Sequence, residues 1–163
     1  MQLFVLDKGF VKVYGMKSKA QSPQALRLFT KEVGLTNAFI LDPSEEQTPA
    51  VISDVCHNIG TTMLILEERT QNANRAELYI GILKEAVHKY SRETHDPMKL
   101  WCNCAEHRAA ISKLTAKNLF QLQGHTPHSI TLGEPGDVSN LCQFGWYEWC
   151  YFSQGKAYFP EPD

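Results

Sequence analysis

The sequence predicts an α/β fold with helices on both faces of a sheet, and three observations carry that prediction. Short apolar stretches alternate with longer amphipathic ones, in the order strand, strand, helix, strand, helix, strand, helix. The chain opens on two such stretches separated by Asp7-Lys8-Gly9, a hairpin signature. A continuous apolar run, Ala38-Phe39-Ile40-Leu41, reads as a strand buried on both faces, which requires cover from two sides.

Each element has its own justification. Leu3 to Leu6 and Phe10 to Met16 form the hairpin strands, with Gly9 in the turn. Ser22-Pro23 opens the first helix as N-cap and first helical residue, Ala25, Leu26, Leu28, Phe29 and Val33 form its buried stripe, and Gly34 ends it. Residues 37–41 are the third strand. Thr48-Pro49 repeats the cap signature for a helix running to Gly60, and Thr62 to Leu66 is the fourth strand. A long helix is expected over residues 73–92, with Leu78, Ile82, Leu83, Ala86 and Tyr90 at core spacing. After Asp96-Pro97 another helix runs to about Lys113. Beyond Lys117 the periodicity fades into loop signals, followed by an aromatic strand over residues 146–152. The expected organisation is a core over residues 1–117 and a loop-rich extension over residues 118–163.

Composition bounds the function. At 163 residues, 43% hydrophobic and 21% charged, the chain suits one globular core. No apolar run approaches the ~18 residues of a membrane span, so no membrane partner is expected. The first residues, Met1-Gln2-Leu3-Phe4-Val5-Leu6-Asp7, lack the basic and small-residue features of a secretory signal. Five cysteines scattered through apolar segments suggest reduced thiols and an intracellular setting. A net charge of −2 counts against nonspecific nucleic-acid binding while leaving room for a local basic face.

The chemistry centres on two acids. Asp42 ends an apolar strand just before a helix start, and Glu77 lies in the first turns of the long helix, 35 positions on. Carboxylates placed this way can share Mg²⁺ or Mn²⁺, hard ions that prefer oxygen ligands. Gly81, Lys84 and His88 follow Glu77 at +4, +7 and +11, on the same helix face. A lysine there can meet a phosphate near a metal. Acids at strand ends and in first helical turns also serve as caps and dipole partners, which is the plainer reading.

Two blocks of the chain resemble the integrase catalytic core of copia-type LTR retrotransposons, within the retroviral integrase superfamily and its RNase H-like fold. Residues 40–48, Ile-Leu-Asp-Pro-Ser-Glu-Glu-Gln-Thr, are similar to the segment around the family's second catalytic aspartate. Residues 69–77, Arg-Thr-Gln-Asn-Ala-Asn-Arg-Ala-Glu, are similar to the segment ending in its catalytic glutamate. Met16-Lys17-Ser18-Lys19 looks like the exit of the family's third strand, and Leu141 to Phe152 resembles the segment that follows the core in algal copia-like elements. The resemblance implies an RNase H-like mixed sheet flanked by helices, with Asp42 and Glu77 as catalytic and metal-binding residues. It implies Asn74, Lys84 and His88 as DNA contacts, and Mg²⁺ or Mn²⁺ as cofactor. DNA (element ends and target) would be the partner, with homodimerisation through core helices and a nuclear location.

The resemblance also defines a departure. The family's first catalytic aspartate lies on a first, central strand upstream of the hairpin, and no segment of this sequence matches it. Asp7 matches the hairpin turn instead. With two of three carboxylates, DNA strand transfer is expected to be weak or absent, leaving a non-enzymatic DNA- or protein-binding scaffold as the alternative. Without a central strand, the hairpin must either pair directly with the strand ending at Leu41 or leave an unpaired gap, which invites pairing with another chain.

Other candidates are weaker. Cys104 and His107 could share a soft metal, but Cys102 lies about 200° from Cys104 around a helix, and zinc sites use four ligands. Cys56-His57 reads as a buried thiol beside a histidine. Trp146, Tyr147, Trp149, Tyr151 and Phe152 suit a core strand better than a base-stacking platform. Lys8, Lys12, Lys17 and Lys19 read as a solvated strand edge.

Overall fold

In the computed structural model, residues 1–41, 49–65, 75–143 and 145–148 are described. Strands β1 (Gln2–Val5) and β2 (Val11–Tyr14) pair antiparallel, with Leu3 opposite Val13 and Val5 opposite Val11. The turn between them needs Gly9. Its φ is 73°, and a Cβ there would sit 2.6 Å from the Tyr79 hydroxyl.

Alternation along the hairpin serves both faces. Leu3, Val5, Val11 and Val13 pack against Leu83 and Val87 of α3 (Arg75–Thr94) and Cys104, Ala105 and Ala109 of α4 (Trp101–Leu114). Phe4 points the other way, stacking on Phe29 of α1 (Ser22–Val33) with ring centroids 4.5 Å apart. Lys12 and Tyr14 also reach α1, where Glu32 meets the Lys12 ammonium at 2.7 Å and accepts from the Tyr14 hydroxyl at 3.0 Å. The expectation of helices on both faces therefore holds for the hairpin.

Strands β3 (Ala38–Leu41) and β4 (Thr62–Ile65) form a separate parallel pair, with α2 (Pro49–Asn58) between them in sequence. Phe39 and Met63 pack with Leu26, Ile52, Val55 and Cys56 under α1 and α2. On the opposite face Ile40 and Leu64 are 62% and 49% exposed. β3 is thus covered on one face, where its unbroken apolar run suggested two.

Among the described residues, four strands make two two-stranded sheets, β1–β2 and β3–β4. Of the two outcomes foreseen for a fold without a central strand, direct pairing and a gap, the described residues show the gap. The architecture is mixed α/β, two small sheets flanked by helices.

Three local expectations change. Ser22 is the first helical residue of α1 rather than its cap, because a 3-10 turn over Lys19–Gln21 runs directly into the helix. In α3, Leu78 and Ile82 are 62% and 53% exposed, and the buried stripe is Leu83 and Val87 flanked by Tyr79 and Tyr90. After α4 the chain is not all loop. It forms a 3-10 turn over Phe120–Leu122, then α5 (Pro127–Leu132) and α6 (Ser139–Gln143). Leu122 and Pro127 are buried, and Thr126 caps α5 by accepting from the Ser129 amide. Residues 145–148 form a turn with Tyr147 at φ 58°, where a strand was expected to begin. Residues 149–152 lie outside the described residues.

Candidate functional site

A cleft of about 550 Å³ separates the two sheets, and it brings the candidate segments together. One wall is β1 with Leu6 and Asp7; the other is Thr36, Asn37 and the start of β3. Phe29 and Ala76 also line it. Ile40, two positions before Asp42, and Ala76, one before Glu77, therefore border the same space. The floor is aromatic: Phe39 meets Phe4 and Phe29 edge-on, at centroid distances of 6.3 and 6.1 Å. Asp7, which read as a plain turn residue, is the one ionisable residue among the described residues that line the cleft.

Asp42 and Asn74 lie outside the described residues. Glu77 is exposed in the first turn of α3, where a carboxylate also complements the helix dipole. Gly81, Lys84 and His88 are exposed with it, so the predicted stripe exists as a solvent-facing stripe. His88 borders a shallow surface hollow with Glu85, Lys89, Arg92 and Glu93, where cations and acids alternate. Glu77 and Asp42 are suitable donors for a hard divalent ion in chemistry. Among the described residues, no group of three or more His, Cys, Asp or Glu side chains could hold a metal.

Among the thiol and aromatic candidates, Cys56, Cys104 and Trp146 are taken up in packing, Tyr147 is 48% exposed, and Trp149, Tyr151 and Phe152 lie outside the described residues. Cys56 and Cys104 are buried, and burial pushes both thiols above their ordinary values. His107 packs against the Trp146 ring at 5.4 Å, and burial, aided by the Arg108 charge, lowers its pKa. Trp146 itself donates from Nε1 to Asp96 Oδ2 at 2.7 Å, which ties the turn at residues 145–148 to the start of the α4 region. Two basic residues with long-range partners were not singled out by sequence. The Lys117 ammonium donates to the Gly9 carbonyl at 3.1 Å and lies over the Tyr79 ring. Lys113 lies over the Phe10 ring. Burial lowers the pKa of both. Their position beside the hairpin turn, Lys113 in the last turn of α4 and Lys117 beyond its end, is a tertiary fact with no local sequence signal. Among the described residues, no helix is long and apolar enough to cross a membrane.

No family model and no curated protein matches the chain. Among solved structures, it is similar to a chain of the cryo-EM structure of the simian T-cell lymphotropic virus intasome in complex with PP2A regulatory subunit B56 gamma. The TM-score is 0.58 at 12% sequence identity, over 99% of this chain and 53% of that one. The chain thus spans about half the length of that relative, and the likeness is one of fold.

Proposed function

We propose that the chain is an integrase-core fragment of RNase H-like fold, akin to those of copia-type retrotransposons, in which Asp42 and Glu77 form an incomplete site for Mg²⁺ or Mn²⁺. The observation that supports this most is the meeting of the segments ending at Ile40 and beginning at Ala76 on one cleft. The fold likeness to a chain of a viral intasome agrees with it. A bound divalent ion would neutralise charge on phosphate oxygens at the reacting position. Asp42 and Glu77 would hold that ion, while Asn74, Lys84 and His88 would steady the DNA backbone. Two carboxylates under-ligate such an ion, so strand transfer would need a further ligand beside them. Dimerisation through the core helices and a nuclear location belong to the same reading.

Calorimetric titration with Mn²⁺, paired with a strand-joining assay on short duplexes, tests the proposal. Glu77→Gln and Asp42→Asn should each weaken Mn²⁺ binding by about tenfold or more and abolish any residual joining. Mn²⁺ binding unchanged in both variants would remove the metal site.

A second reading rests on the lining of the cleft, which is apolar apart from a few polar residues and Asp7. Such a surface suits a polypeptide better than a phosphate, so of the two partners open to a non-enzymatic scaffold, protein or DNA, it favours protein. Wild-type protein that neither binds Mn²⁺ nor joins duplexes, and that binds a labelled apolar peptide more tightly than duplex DNA, would favour this reading.

A further inference from the structure

We propose that a hollow along the outer edge of β2 is a binding site for a carboxylate group, held by the Lys113 ammonium and the backbone N–H groups of Val11 and Val13. The hollow shares no lining residue with the cleft between the sheets, so the proposal rests on neither functional reading.

Backbone direction gives the hollow its donors and its length. The Leu6 amide donates to the Phe10 carbonyl at 2.9 Å, so Leu6 and Phe10 turn toward each other. Direction alternates along an antiparallel ladder, so Phe4 also turns toward β2, and Lys12 and Tyr14 toward β1. The N–H and C=O groups of Val11, Val13 and Gly15 then point out from the other edge of β2. Side chains from α4 and the residues just after it close both ends of that outer row. Glu106 accepts from the Gly15 amide at 2.8 Å, and the Lys117 ammonium donates to the Gly9 carbonyl at 3.1 Å. Val11 and Val13 are left between them. Both are buried, at 3% and 4% exposure, and among the described residues neither N–H has a partner. Buried amides without a partner are rare in folded proteins. The open stretch spans Val11 to Val13, too short for an added strand and long enough for one small group.

The charges select the group. The hollow encloses about 180 Å³ between residues 11–14 and a face of α4 that carries Glu106, Ala110 and Lys113. Lys12 is already paired with Glu32 at 2.7 Å, and Glu32 also accepts from the Tyr14 hydroxyl. Glu106 is committed to the Gly15 amide. Lys113 is the remaining charge, lying over the Phe10 ring with no ion pair among the described residues. Burial lowers its pKa, the Lys12 charge adds to this, and the Glu32 charge opposes it. An anion beside a half-buried ammonium restores the charged form. One uncompensated cation matches a monoanion, whereas a phosphate dianion brings a second charge that nothing there balances. Water would satisfy the amides but leave the ammonium without a counter-ion. The Val11 and Val13 carbonyls face the same side, and the chain itself shows that a carboxylate is accepted beside such an edge: Glu106 holds the next amide in the row. Two sources supply this chemistry, a free small carboxylic acid and an acidic side chain of a polypeptide.

Amide and lysine side-chain NMR of the whole chain, titrated with sodium propionate at fixed ionic strength, is the test. Saturable shifts are expected at the Val11 and Val13 amides, with the Lys113 pKa rising toward its ordinary value as propionate binds. Lys113→Met, which keeps an apolar stem over Phe10, should weaken binding at least about tenfold. Lys113→Arg should keep most of it, because the charge stays. Amide spectra show whether each variant is folded, and the Lys113 pKa in the wild type reads the contact without any variant. A blocked Gly-Glu-Gly peptide separates the two sources. Binding at least about tenfold tighter than propionate assigns the site to an acidic side chain of a polypeptide, and weaker or equal binding assigns it to a free acid. The proposal is overturned by shifts that do not saturate, by equal shifts with sodium chloride alone, or by an unchanged Lys113 pKa, each of which means an adventitious ion or water only. It is overturned equally by unchanged binding in Lys113→Met, or by tighter binding of inorganic phosphate than of propionate.

Discussion

The two halves of the strand layer differ in how they are finished. The β1–β2 hairpin is covered on both faces: α3 and α4 lie under Val11 and Val13, and α1 takes Phe4, Lys12 and Tyr14. The β3–β4 pair is covered on one face, where Phe39 and Met63 meet α1 and α2, while Ile40 and Leu64 remain largely exposed on the other. The candidate chemistry is attached to the less finished half, since Asp42 directly follows β3. Stability therefore resides mainly on the hairpin side and at the aromatic seam, whereas among the described residues the cleft edge of β3 makes no backbone hydrogen bond.

Substitution on either side of the seam sharpens this contrast. Phe29 is fully buried between the halves, touching Phe4 and Phe39. Phe29→Ala should cost about 3–5 kcal/mol, through lost burial and the cavity left behind. Leu64→Ala, on the exposed face of β4, should cost less than about 1 kcal/mol. Urea denaturation of both variants makes the comparison, and equal losses would mean that the open face of β3–β4 is covered in solution.

A smaller effect probes the hairpin side through pH. Burial works to raise the Glu32 carboxyl, but hydrogen bonds from Lys12 and Tyr14 and the Lys12 charge outweigh it, and the pKa falls below its ordinary value. A carboxylate with a lowered folded pKa stabilises the fold above its unfolded pKa, and that contribution disappears as pH falls through the folded pKa. The urea midpoint of Glu32→Gln should thus lie slightly below wild type at neutral pH and converge with it on acidification below the usual carboxylate range. The effect is modest because Glu32 is 43% exposed. A gap that widens in acid would contradict the assigned direction.

The sequence was most readable where local rules decide the outcome. The hairpin follows from alternation plus a turn glycine, and α1 from Gly34, with φ 102° at the helix end, and from an apolar stripe of which Ala25, Leu26 and Phe29 are buried, whereas Leu28, expected in it, is 41% exposed. α3 shows where local rules stop. Leu78 and Ile82 are as apolar as Leu83 and Val87, and spacing alone does not tell which of two adjacent stripes faces the sheet. The same holds for β3, whose apolar run implied cover on two faces although only packing decides cover. The short helix α5 was readable in retrospect. Thr126-Pro127 repeats the cap-proline signature of Thr48-Pro49, but six residues give too few turns for periodicity to register. For the candidate site, sequence placed Glu77, Lys84 and His88 on one helix face, and they are exposed together. The cleft itself arises from non-local packing and had no local signature in the sequence.

The scaffold reading depends on the cleft between the two sheets being open. Native-state amide hydrogen exchange on the protein alone tests this most directly. The amides of Phe4 and Leu6, turned toward β2, should be strongly protected, while those of Leu3, Val5, Ala38 and Ile40 should exchange much faster. Protection at Leu3 and Val5 equal to that at Phe4 would show a paired edge and contradict the account.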